Sequence, residues 1–440
     1  MELNQPLFWC LIQVLLCQPM PRQLQMSCPP APTVTESDRH PDRVSELLDI
    51  SVVTPIFGGG VEAGVNDPVT LVRSPGIRGQ LRFWWRATKG KAFVEPAALK
   101  KREEEIWGST KSPSEVSFEV TIDQPGKEER CAEYPPEKSF PRFADGYPSY
   151  ALFPFQGSKK DGTLPAMARR GVRFRLRVNY PDSFREDVLG ALKAWVNLGG
   201  IGARTRRGCG SMFSKDLSVK STAELARWLG GFPGGEGQEW PVVDARLLSR
   251  MPAGNPMRVW SEVIDLYRQF RQGPGVGRNP GARPQQPGRS RWPEADSLRR
   301  LSKAADSRHG RSVTGDRNVF PRAQFGLPLV FHFKDRGDSP NDCEVYPAME
   351  GLDSTRMGSP LILKALALGE NSAVPLIFRM KAREVTGVRV RFQSEGRSAA
   401  GLKLPVSSEA SWPQGLAGIP SKTSAVDSFL LFAKQKGYGG

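Results

Sequence analysis

In several stretches of the chain, apolar and polar residues alternate one by one. Leu48, Ile50 and Val52 alternate with Asp49 and Ser51, which predicts a half-buried strand opening near Leu47. Val116, Phe118, Val120 and Ile122 repeat the pattern within Glu115–Ile122. The clearest case is Val172, Phe174, Leu176 and Val178, with Arg173, Arg175 and Arg177 on the opposite face. Between these stretches the apolar period changes to three or four. Ile77, Leu81, Trp84 and Thr88 give a core stripe to a helix running to about Lys89, with Ser74 as N-cap and Pro75 at the first helical position. Phe184, Val188, Leu192, Trp195 and Val196 mark a second helix, opened by Pro181-Asp182-Ser183 and closed by glycines. Ser211–Leu217 returns as a strand. The order strand, helix, strand, strand, helix, loop, strand is the split βαβ, ferredoxin-like pattern that RNA-recognition modules use.

The second half is less regular. Trp260, Val263, Ile264, Tyr267 and Phe270 form one face of a helix. Phe325–Phe333 reads as a strand. The apolar run Leu361–Leu368 is open between helix and strand, and Val388, Val390 and Phe392 suggest one more strand. Residues 273–311 are rich in Gly, Pro and Arg, with eight arginines and one lysine against three acids, and predict a mobile basic insertion. The expected organisation is α+β. It has an extension over 1–44, an N-terminal domain over 45–220, and a divergent C-terminal domain over 240–440 carrying the 273–311 insertion.

Composition narrows the function. The 440 residues carry a formal net charge of +16, which favours a polyanionic partner and says nothing about fold. The six cysteines (Cys10, Cys17, Cys28, Cys131, Cys209, Cys343) include no Cys-x-x-Cys pair, so neither a disulfide framework nor a zinc site is expected, and a reducing cytoplasm suits them. Leu7–Cys17 resembles a signal h-region, but it is too short to span a bilayer, and Glu2 precedes it with no Lys or Arg. Residues 1–44 are therefore expected to be a disordered extension, with Met20 or Met26 as alternative starts and a secretory signal as the competing reading. No membrane partner is expected.

The candidate chemistry centres on Gly199-Gly200-Ile201-Gly202-Ala203-Arg204-Thr205-Arg206-Arg207-Gly208-Cys209-Gly210. No Gly-Lys-Ser/Thr closes it, so it is not a Walker loop. Thr205 stands where a dinucleotide fingerprint needs its third glycine, and the loop follows a helix. Exposed amides together with Arg204, Arg206 and Arg207 make a cradle for phosphates; the alternative is a solvated turn. A second basic feature is the first helix. Arg78, Arg82 and Arg86 recur every four residues, and Arg73 precedes an N-terminus suited to phosphate. A solvated amphipathic face is the plainer reading of that stripe. Trp85 could stack on a base, although a packed role suits it better. The three histidines form no catalytic set with serine or cysteine. His40 lies in the extension, His332 in an apolar strand, and His309 in the basic insertion, where it could serve as a base in RNA cleavage. Acids show no metal-site spacing, and Asp335 and Asp338 read as turn formers. A binder is expected, with no catalytic residue, metal or cofactor.

Thr54-Pro55-Ile56-Phe57-Gly58-Gly59, the stretch Val72–Arg86 and the glycine loop together resemble the RAMP proteins of CRISPR effector complexes. The string Arg78-Gly79-Gln80-Leu81-Arg82-Phe83-Trp84-Trp85-Arg86 is similar to the subgroup forming the first subunit of the Cmr (type III-B) RNA-targeting complex. Phe325-Gly326-Leu327-Pro328 and Arg356–Leu361 resemble its C-terminal half. The resemblance implies two tandem ferredoxin-like (RRM-like) RAMP domains in a non-catalytic subunit that holds the 3′ part of a guide RNA. It implies contact with target RNA, with the repeating backbone subunit and with the neighbouring end-cap subunit. A metal-independent RAMP endoribonuclease acting on guide precursors is the alternative. Arg73, Arg78, Arg82, Arg86, Gly199, Gly200, Gly202, Arg204, Arg206, Arg207 and Gly208 are the expected RNA contacts.

Overall fold

The computed structural model describes residues 42–59, 65–67, 69–138, 140–234, 239–282, 288–303, 318–333, 342–348, 354–392, 404–405 and 424–440. The readings of 1–41, of His309 and of Asp335 and Asp338 lie outside these residues.

The first half follows the hydrophobic periodicity. Its elements are β1 (Arg43–Val52), α1 (Ser74–Ala87), α2 (Pro96–Trp107), β2 (Ser117–Gln124), β3 (Arg173–Pro181), α3 (Arg185–Leu198), β4 (Met212–Phe213) and α4 (Thr222–Gly230). Four strands form one sheet in the order β2-β3-β1-β4. Leu48, Ile50, Phe174, Leu176 and Val178 are buried on the face that α1 and α3 cover. The expected return strand over 211–217 shrinks to two residues, because Ser214 and Ser218 tie the chain into a turn. Helix α1 also starts differently. Arg73 is its N-cap and makes no side-chain cap, while Ser74 and Pro75 lie inside the first turn.

The second half contains β5 (Val242–Ser249), α5 (Pro256–Gln272), α6 (Glu294–Leu301), β6 (Leu329–Phe331), β7 (Cys343–Pro347), β8 (Leu361–Gly369), β9 (Ser372–Lys381), β10 (Gly387–Phe392) and α7 (Ala425–Gln435). One sheet runs β8-β9-β5; another runs β6-β7-β10 and ends on Leu404–Pro405. The Leu361–Leu368 run is a strand. Ile362 and Leu366 enter the core shared with the first half, while Leu361, Leu363 and Ala365 enter a second core under α5 and α7. A strand buried on both faces reads as a continuous apolar run, hence the ambiguity in sequence.

The described parts of the basic insertion are packed. Trp292 and Leu298 are buried, α6 forms, and the Glu294 carboxylate accepts the Arg322 amide. Composition suggested a mobile insertion, and within it one tryptophan and one leucine are buried.

Candidate nucleic-acid interface

The glycine loop leaves the C-terminus of α3 and curls against the segment after β1. Ala203 N–H donates to the Phe57 carbonyl, Gly210 N–H to Pro55, and Ile201 N–H to Gly210. Gly202 has φ +81°, and a Cβ there would stand 2.7 Å from the Phe57 oxygen, so no other residue fits without movement. Gly199 and Gly200 are required by packing. A Cβ on Gly199 would meet Trp84 Nε1 at 2.5 Å, and one on Gly200 the Cys209 carbonyl at 2.9 Å.

Between this loop, Gly58-Gly59 and the start of α1 lies a recess of ≈ 370 Å³. Gly200, Gly202, Arg73 and Gly76 line it. The amides of Gly200 and Gly202 are not used in the backbone bonds that hold the loop. Helix α1 points its uncapped N-terminus at the same space, with N–H groups free and the positive dipole end exposed. Arg73 is exposed and makes no ion pair among the described residues. This constellation suits a phosphate-bearing chain.

The loop arginines turn away from open solvent. Arg206 Nη1 donates to the Ser359 carbonyl at 2.5 Å, and its guanidinium lies 5.6 Å from the Phe83 ring. Arg207 donates to the Leu361 carbonyl and Ser359 Oγ and lies over Tyr267. Trp260 Nε1 donates to the Arg207 carbonyl at 2.6 Å. Arg204 is left-handed at φ 57°, and its Nε is buried without a partner among the described residues. Burial, then the neighbouring Arg207, lowers the pKa of both Arg204 and Arg206. Gly208 (φ +82°) closes the turn, and a Cβ there would stand 2.6 Å from Trp260 Cδ1. The loop is thus a strut into the second half as well as a wall of the recess, and of the expected phosphate cradle only the Gly200–Gly202 side lines the recess.

The α1 stripe differs from its sequence reading. Arg82 Nε and Arg86 Nη1 both lie 2.5 Å from Glu103 Oε1 of α2, and Glu103 is only 5% exposed. Arg78 stays exposed, 6.0 Å from the Phe118 ring. The basic face of β3 is neutralised too. Arg173 pairs with Glu370, Arg175 with Asp123 and Arg177 with Glu119. Cross-strand and neighbouring acids cancel charges that looked unopposed along the chain. Trp84 and Trp85 are both buried, and Trp85 Nε1 donates to Asp187 Oδ1 at 2.7 Å, so neither offers a stacking face.

Sequence reasoning missed Lys364. It is 1% exposed on β8, and its ammonium donates to the Gly199 carbonyl at 2.8 Å, an orphan acceptor at the end of α3. Burial lowers its pKa to about 7. The one charge inside Leu-Ile-Leu-Lys-Ala-Leu was the available signal. His332 lies just past β6, is exposed and sits 2.7 Å from Asp342 Oδ2, contrary to the expected burial in a strand. Burial pushes the Cys209 thiol up to about 12 and Cys131 up to about 11. Among the described residues, no cluster could hold a metal ion and no helix is long and apolar enough to cross a membrane.

Residues 49–213 match the family model of the RAMP superfamily. The chain is 35% identical over 162 residues to CRISPR system Cmr subunit Cmr1-1 of Pyrococcus furiosus, covering 36% of this chain and 44% of that protein. It thus spans less than half the length of that relative. It is 27% identical over 179 residues to Cmr1-2 of the same organism, covering 38% of this chain and 92% of that protein. The crystal structure of apo Cmr1 from Pyrococcus furiosus aligns with TM-score 0.47 and 19% identity, over 89% of this chain and 97% of that one. The resemblance to RAMP proteins read from the sequence motifs therefore holds over the first half.

Proposed function

Starting from the RAMP superfamily match over residues 49–213, we propose that this chain is a non-catalytic, Cmr1-type RNA-binding subunit of a type III-B CRISPR ribonucleoprotein. It holds the 3′ part of the guide RNA, helps to engage target RNA, and packs against the backbone RAMP subunit and the neighbouring end-cap subunit. The architecture we assign is two tandem ferredoxin-like units, over 45–220 and 240–440. The strand order β2-β3-β1-β4 supports this assignment, as does its partial echo β8-β9-β5 in the second half. The isolated bridge between Ser249 and Gly439 lies where a fourth strand would pair in that echo.

The observation that carries the reading is the recess, where free amides of Gly200 and Gly202, the N-terminus of α1 and the unpaired Arg73 converge. Base pairing between guide and target supplies sequence recognition, so the protein needs only to hold backbone, and amides plus one guanidinium suffice. Arg206, Arg207 and Gly208 act beneath this surface by fixing the loop.

The experiment is photocrosslinking of 4-thiouridine RNA to the chain in its assembled complex, with peptide mapping. Adducts within 58–78 and 199–204 are expected. Adducts confined to other regions contradict the reading. Incubation with repeat RNA in chelator is expected to leave the RNA intact, and cut products would favour the ribonuclease alternative.

A further inference from the structure

A second basic feature adjoins the glycine loop. Arg204 and Arg207 lie close enough to Tyr150 of the single helical turn Ser149–Leu152 to act on it electrostatically, as do Arg271 of α5 and Arg322 of the 3₁₀ turn Pro321–Phe325, with Tyr267 of α5 between them. Arg207 lies 5.2 Å from the Tyr267 ring centroid, and Arg271 lies 5.5 Å from the same ring and 4.8 Å from Phe325. Arg271 Nη1 also donates to the Tyr267 hydroxyl at 2.6 Å. Tyr150 packs edge-on against Tyr267 at 5.6 Å, and its hydroxyl faces Arg271, Arg322 and Arg207.

The charges do not balance. Among the described residues, Glu294 brings a carboxylate to this cluster, and it pairs with Arg322, its Oε2 lying 3.0 Å from Arg322 Nε. Four guanidiniums against one carboxylate leave three positive charges uncompensated. Aromatic faces offset part of that repulsion, but each is a weaker partner than an anion. The hydrogen-bond inventory is incomplete in the same place. Arg204 Nε and Arg271 Nε are buried without partners among the described residues. Unmade donors around excess positive charge mark a place built for an anion.

We propose that this arginine–tyrosine cluster binds a phosphate monoester, the terminal phosphate of a nucleotide. A monoester carries close to two negative charges at neutral pH, which matches the surplus better than the single charge of a diester linkage. The source is either a free nucleotide or the phosphorylated end of an RNA. The cluster shares no lining residue with the recess, so either site can fail while the other stands.

The test titrates the full chain, by calorimetry at fixed ionic strength, with inorganic phosphate, a nucleoside monophosphate, and an oligoribonucleotide with and without a terminal phosphate. Saturable binding of phosphate-bearing probes is expected. Arg204→Gln should weaken it about tenfold or more, and Tyr150→Phe several-fold. Arg204→Gln should also raise the melting temperature in phosphate-free buffer, because it removes one of the crowded like charges; a merely structural arginine would lower it. Preference for the mononucleotide identifies a free nucleotide, and preference for the end-phosphorylated oligonucleotide identifies an RNA end. Absence of saturable binding to every probe, or undiminished binding by folded Arg204→Gln, would overturn the proposal. Arg73→Ala serves as the independent control for the recess and should leave monophosphate binding unchanged.

Discussion

Arginines at regular spacing occur both on α1 and β3 and in the glycine loop, yet the two sets have opposite fates. On α1, Arg82 and Arg86 share the buried Glu103; on β3, Arg173, Arg175 and Arg177 each face an acid. Around the loop, Glu294 pairs with Arg322, while Arg206 and Arg207 meet carbonyls and rings. Arginine spacing within an element therefore says little about its potential. What decides is which acids the neighbouring elements bring, and those neighbours are distant in sequence. Arg73 belongs to neither set: it makes no ion pair among the described residues and is placed at a helix N-terminus.

The largest expected effect comes from breaking the neutralised set. Glu103→Ala strands two guanidiniums at a nearly buried site and should cost about 3 kcal/mol, read by urea denaturation. Its RNA affinity should rise, because charge is freed. If stability is unchanged, Arg82 and Arg86 are effectively solvated and the contrast fails.

A somewhat smaller loss should follow from Gly208→Ala. Its positive φ and the close Trp260 ring predict about 2 kcal/mol of destabilisation. Loop and second half should loosen together, seen as faster hydrogen exchange across 199–210 and at Trp260. Loosening of the loop alone would argue against the strut.

The Lys364 prediction is a pH dependence. Its folded pKa of about 7 lies below the ordinary lysine value, so between these two values the unfolded chain binds more protons. Stability should therefore rise as pH increases from about 7 toward 9, by at most about 1.4 kcal/mol per unit. It should be lost again as pH falls toward 7. Lys364→Met should flatten the slope. A wild type without that rise would mean the ammonium is solvated or paired.

Much of the fold was legible because local periodicity agrees with burial. The alternation of β3 and the apolar face of α5 both appear as read, with Phe174, Leu176, Trp260 and Phe270 fully inside. The Leu361–Leu368 run stayed ambiguous because a strand feeding two cores has no polar phase. Half of the site was legible. The glycines and Arg73 stand out locally, but Glu103 is hidden in Lys-Lys-Arg-Glu-Glu-Glu, a run that reads as solvent-facing throughout. Only the docking of α2 on α1 selects which of its acids turns inward. Likewise, nothing near Arg204 in sequence announces Tyr150 or Arg322.

The most direct measurement is the salt dependence of RNA affinity for Arg73→Ala beside Arg175→Ala, two exposed substitutions expected to leave stability within about 0.5 kcal/mol. Arg73→Ala should weaken binding and reduce the log–log salt slope by about one, while Arg175→Ala, already paired with Asp123, should leave the slope in place. Equal slopes for wild type and Arg73→Ala, or an equal drop for both variants, would contradict the account.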